Sequence, residues 1–126
     1  MPTVQGTNYL RLTTTAVLAD STYTLTLKDN NGNVFSKTTI ECNTALGAAV
    51  INLPTIASLG AASQNCEVVV VVTNATSNIT VDPALTDRVG SGALGAPYVL
   101  TAGGGAGQSL IFQPVDGNTW ALLKTA

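Results

Sequence analysis

The residues with the most chemical promise lie in the second half of the chain. Gly90-Ser91-Gly92-Ala93-Leu94-Gly95 matches the G-x-G-x-x-G dinucleotide pattern, and Asp116 follows about twenty residues later, as that pattern asks. The chemistry requires a helix to begin at the glycines, because its N-terminus holds the pyrophosphate. Here Pro97 and the strand-like Tyr98-Val99-Leu100-Thr101 follow at once, so the segment reads as a flexible crossover between sheets. Gly103-Gly104-Gly105-Ala106-Gly107 lacks the Lys-Ser/Thr of a phosphate loop and reads as a wide turn. Asp29-Asn30-Asn31-Gly32-Asn33 opens like a calcium loop, but Ile40 stands where the last ligand belongs, and a hairpin turn accounts for it better.

Other chemistry is equally thin. The chain has no histidine, which leaves acid–base work to seven acids, five basic residues and the tyrosines. The acids Asp20, Asp29, Glu41, Glu67, Asp82, Asp87 and Asp116 fall mostly at strand ends or in turns, where carboxylates go to be solvated. Cys42 and Cys66 have no further cysteine at metal-ligand spacing, so they read as small buried hydrophobes and no metal site is expected. No enzymatic activity and no cofactor are expected.

The elements that would position these residues are short strands. No stretch keeps apolar residues at helical spacing over ten or more positions. Tyr9 to Val17 is β-rich. In Ser21 to Lys28, Tyr23, Leu25 and Leu27 alternate with threonines, which puts the apolar set on one face. Asn31-Gly32 suits a hairpin turn returning through Val34 to Cys42. Ala48 to Leu53 is stopped by Pro54, and Thr55 to Asn65 has room for one helical turn. The valines Val68 to Val72 ask for burial on both faces, hence a central strand or one covered by a partner. Ile79 to Asp82, Tyr98 to Thr101, Leu110 to Gln113 and Thr119 to Lys124 complete the set. The fold expected is all-β, a β-sandwich or jelly roll of about eight or nine short antiparallel strands. It comprises an N-terminal arm, residues 1–12, and a single domain, residues 13–126, with no internal repeat visible.

Composition points toward assembly. Charged residues make up 10% of the 126, against about 25% in ordinary soluble domains. Mean hydropathy is +0.32. A surface so poor in charge suggests cover by partners. Net charge is −2 and the basic residues Arg11, Lys28, Lys37, Arg88 and Lys124 are scattered, which argues against nucleic acid. No apolar run reaches the length of a membrane span, and Met1 to Asn8 does not read as a signal peptide, so folding in a cytoplasm is expected.

From Ala49 to Leu123 the order of motifs is distinctive. Leu53-Pro54 ends one strand. The run Val68 to Val72, a polar turn and Asn78-Ile79-Thr80-Val81 come next. Asp87-Arg88-Val89-Gly90 then precedes Tyr98-Val99-Leu100, Ser109-Leu110-Ile111-Phe112 and a closing Asp116-Gly117-Asn118-Thr119-Trp120. This order resembles the C-terminal β-module of tailed-phage structural proteins: head decoration proteins, head fibres and tail-fibre tips. Val89 stands where the usual motif has Ile. The resemblance implies a virion structural protein, foremost a capsid decoration (cement) protein. Such a protein binds the major capsid protein on the outside of a phage head as a homotrimer. Alternatives are a tail-fibre or spike tip recognising a receptor glycan, and a cellular carbohydrate-binding module. Trp120 is expected to anchor the core. Val4, Tyr9, Leu10 and Arg11 of the arm are expected to contact the capsid or a neighbouring subunit.

Overall fold

Strands form where side chains alternate between hydroxyl-bearing and branched apolar residues, and turns fall at Gly, Asn and Pro. The computed structural model describes residues 11–17, 21–28, 31–44, 47–103 and 107–125. Within them lie ten strands: β1 (Arg11–Val17), β2 (Ser21–Thr24), β3 (Lys37–Asn43), β4 (Ala49–Asn52), β5 (Glu67–Asn74), β6 (Ile79–Asp82), β7 (Arg88–Val89), β8 (Tyr98–Leu100), β9 (Ser109–Pro114) and β10 (Thr119–Thr125). They make a six-stranded sheet in the order β1-β3-β5-β9-β10-β7 and a four-stranded sheet in the order β2-β4-β6-β8.

The all-β expectation holds, but both sheets are mixed where an antiparallel arrangement was expected. β1, β3 and β5 are parallel neighbours in the first sheet. β2, β4 and β6 are parallel neighbours in the second. Each pair β1–β2, β3–β4 and β5–β6 is therefore one rung that supplies a strand to both sheets, and successive rungs stack in register, as in a β-solenoid. Lys37 follows Arg11 by 26 residues and Glu67 follows Lys37 by 30, and the three stand side by side. This structural repeat left no trace in the sequence, because its rungs share a hydrophobic alternation and no fixed residues. Arg11 and Leu12, expected in the arm, belong to β1 and pair with Lys37 and Thr38.

The chain then reverses. β8 and β9 run antiparallel to β6 and β5 and close the third rung. β10 returns along β9, and β7 adds parallel to its start. One core lies between the sheets. Ile40, Val70 and Leu110 stand in register from one sheet, with Ile51 and Val81 from the other, all fully buried. Rung corners are pinned by side chains. The Thr44 hydroxyl sits 3.0 Å from the Asn74 carbonyl and 2.9 Å from that of Ser77, and it accepts the Ser77 N–H.

Between β4 and β5, Ile56–Asn65 forms 3-10 turns broken at Gly60, whose φ of 62° and ψ of −147° admit no continuous helix. The segment is longer than the single turn expected because Thr55 caps it: its hydroxyl accepts the Ser58 N–H, and Ile56 and Leu59 are buried. The expected hairpin after β2 shrinks to one antiparallel bridge, Lys28 to Val34, with Gly32 at φ 85°.

Cys42 and Cys66 are buried and free. Register explains it: Cys66 precedes Glu67, which faces Lys37, whereas Cys42 faces Val72. Cys66 thus lies about six residue steps from Cys42, roughly 20 Å, where a disulfide needs about 5.5 Å between Cα atoms. Burial pushes both thiols from 9.0 up to about 11, and Glu67's charge adds to the effect at Cys66. Both should therefore be inert to a thiol-exchange reagent in the folded protein and react fully in denaturant. Above pH 9.0 the unfolded thiols ionise while the folded ones keep their protons. Stability should then fall by about 1.4 kcal/mol per pH unit per thiol until the folded pKa is passed. Urea midpoints across that range would check this; a response as steep in a Cys42→Ala/Cys66→Ala variant would refute it.

Candidate functional site

The glycine-bearing loop between β6 and β8 spends its backbone donors on itself. Gly92 N–H donates to the Val89 carbonyl, Gly95 N–H to that of Asp87 and Ala96 N–H to that of Ala93. Gly90 and Gly95 take positive φ, and the chain goes on to β8, not to a helix. Those three N–H groups are therefore not open to a phosphate. Inside this loop, Asp87 is 2% exposed, where a solvated turn carboxylate was expected. One of its oxygens accepts the Ile56 N–H at 2.9 Å and the other the Thr86 hydroxyl at 3.3 Å. Asp87 is thus a pin joining the loop to the start of the 3-10 segment.

Among the described residues no three of His, Cys, Asp and Glu gather as metal ligands. The nearest thing to a polar site is a cleft of about 290 Å³ at the start of β3 and β5, beside Gln64 and Asn65. There Lys37 Nζ lies 3.8 Å from Glu67, whose other oxygen accepts Gln113 Nε2–H at 2.7 Å. A second hollow of about 480 Å³ shares Gln64 and Pro114 and reaches Asp116. The Asn118 N–H at 2.9 Å, Thr119 and then the Arg88 charge hold the Asp116 carboxyl below its ordinary range. That bond shapes the Asp116-Gly117-Asn118 turn; the carboxylate itself is fully exposed.

The larger feature is the outer face of the six-stranded sheet. Inward residues of β3, β5 and β9 alternate with outward ones. Thr39, Val69, Ile111 and Leu123 stand opposite one another across four strands. Val69 is only 8% exposed even though it points outward, because its strand is central; Leu123, nearer the edge, is 52% exposed. On one side of this apolar row lie Lys37, Glu67, Gln113 and Ala121; on the other lie Glu41, Val71 and Ser109. The outer face of the four-stranded sheet is more polar, with Thr22, Val50, Thr80 and Val99 in one row and Thr24, Asn52 and Asp82 in the next.

Of the interface residues expected from sequence, Val4, Tyr9 and Leu10 lie outside the described residues. The backbone of Arg11 is the first residue of β1, beside Lys37. Trp120 is fully buried, next to Val89 of β7 and Pro114 of β9. Asp87 and the Val69–Ile111–Leu123 row were not singled out in advance. The valine run did signal a strand covered on both faces, but the row appears only once three separate strands are in register. Among the described residues no helix is long and apolar enough to cross a membrane. Comparison with protein-family models, curated proteins and solved structures returns no match to this chain.

Proposed function

We propose that the chain is a virion structural protein, a capsid decoration protein that binds the outside of a phage head and stabilises it. The observation that carries this reading is the outward apolar row Val69–Ile111–Leu123 on a chain with only 10% charged residues. A surface of that kind gains most when neighbouring protein covers it. The motif resemblance supports it further, since its separate pieces meet at one corner. Arg88–Val89 pairs with Thr119–Trp120, and Asp87 holds the Ile56 backbone just after Leu53-Pro54. The resemblance implies a homotrimer and the major capsid protein as partner.

The mechanism is linkage. A protein that binds only the assembled shell lowers the free energy of that state by its binding free energy, so the shell resists internal pressure better. Counting copies per purified particle against the major capsid protein tests the reading. Hundreds of copies support it. A handful would favour a tail tip that recognises a glycan, and absence from particles would sink any virion role.

A further inference from the structure

The outer face of the six-stranded sheet is self-complementary about one line, and we propose that a second copy of this chain docks there, face to face, across a two-fold axis. The line is the Thr39–Val69–Ile111–Leu123 row, which runs across the strands. A two-fold axis along it reverses the strand direction of the second copy and returns each residue of the row onto its own counterpart, as an isologous contact requires. The apolar row is then buried at the centre, with the sheets about 10 Å apart as in other aligned sheet pairs.

The charges beside the row select this occupant. Lys37 and Glu41 both point outward on β3, two residues to either side of Thr39, so each stands about 6.6 Å from the axis. The rotation carries Lys37 of one copy over Glu41 of the other, and Glu41 over Lys37. Two reciprocal opposite-charge pairs form. On β9, Gln113 comes over Ser109, a polar pair. Lys37 keeps its existing partner Glu67, 3.8 Å away on the same face. A face-to-face pair is two-fold, so this inference departs from the trimer that the resemblance implies. It shares its apolar row with the capsid reading but assigns that row to a second copy of the chain, and oligomeric state and copy number test the two separately.

Sedimentation velocity over a dilution series tests it on the full chain. The wild type should be a dimer. Leu123→Glu should be monomeric and folded, since a side chain 52% exposed contributes little to the core, and its melting temperature should lose the concentration dependence expected of the wild-type dimer. Lys37→Glu places Glu over Glu, and Glu41→Lys places Lys over Lys; each should raise the dissociation constant roughly tenfold or more. Mixing these two variants should restore tight pairing as a heterodimer, because positions 37 and 41 of facing copies then carry opposite charges. Circular dichroism of each variant confirms that it is folded. A wild-type monomer or trimer, a Leu123→Glu dimer of undiminished affinity, or no recovery on mixing would each overturn the proposal. None of those outcomes changes the copy number in particles, which tests the capsid reading alone.

Discussion

Trp120→Ala should cost about 3–5 kcal/mol, a large part of what a domain of this size has to lose. Trp120 is the sole tryptophan and is fully buried. It is also where the last three strands of the six-stranded sheet meet, with Val89 on one side and Pro114 on the other. The backbone around it is tightly tied. Gly90 N–H donates to the Trp120 carbonyl and Arg88 N–H to that of Asn118, both at 2.8 Å. Such a frame cannot collapse into the space that an indole leaves, so most of the cavity term survives. Trp120→Phe separates volume from polarity. The indole Nε1 has no hydrogen-bond partner among the described residues, so phenylalanine loses ring area and no bond. About 1–2 kcal/mol is expected for it. Thermal midpoints should drop by roughly 10–20 °C for alanine and a few degrees for phenylalanine. Equal, large losses for both would mean that the indole N–H contributes after all.

The strands were legible from sequence because their signal is local. The Tyr23-Leu25-Leu27 alternation and the valine run each declare a pleated, buried segment within a few residues. What no local signal encodes is which strand lies beside which. A parallel neighbour such as β3 for β1 is 26 residues away, and a threonine-rich strand pairs as readily in parallel as in antiparallel. Short strands with turn residues every ten positions suggest hairpins, and the antiparallel expectation followed from that. Here the turns carry the chain across to the opposite sheet, so the neighbour comes one rung later.

The site was legible to a lesser degree, for the same reason. Trp120 could be assigned to the core by type alone, since no other residue offers as much apolar area. Ile111 and Leu123 looked like ordinary strand residues, because their facing outward depends on Phe112 and Leu122 being the inward set. Asp87 reads from sequence as a solvated turn residue, because turn position normally means solvent. Only the fold shows that the 3-10 segment brings the Ile56 N–H against it.

That buried carboxylate sets up the second large effect. Asp87→Ala removes the acceptor of a buried backbone donor, and the Ile56 N–H then has no partner to replace it, at a cost of about 2–4 kcal/mol. Asp87→Asn keeps a carbonyl oxygen for that N–H, and the Thr86 hydroxyl can accept from the new amide, so only about 1 kcal/mol should be lost. Chemical denaturation would rank the two, and hydrogen exchange would show whether the Ile56 amide loses protection first. If alanine and asparagine cost the same, the carboxylate's charge and not its acceptor geometry does the stabilising.

Asp87 also immediately precedes β7, whose Val89 lies beside Trp120. Loosening the loop at Asp87 should loosen the strand that walls the indole. The Asp87→Asn/Trp120→Phe double variant should therefore lose less than the two single losses combined, by about 0.5–1 kcal/mol. Strict additivity would show that the pin and the anchor hold separate parts of the fold.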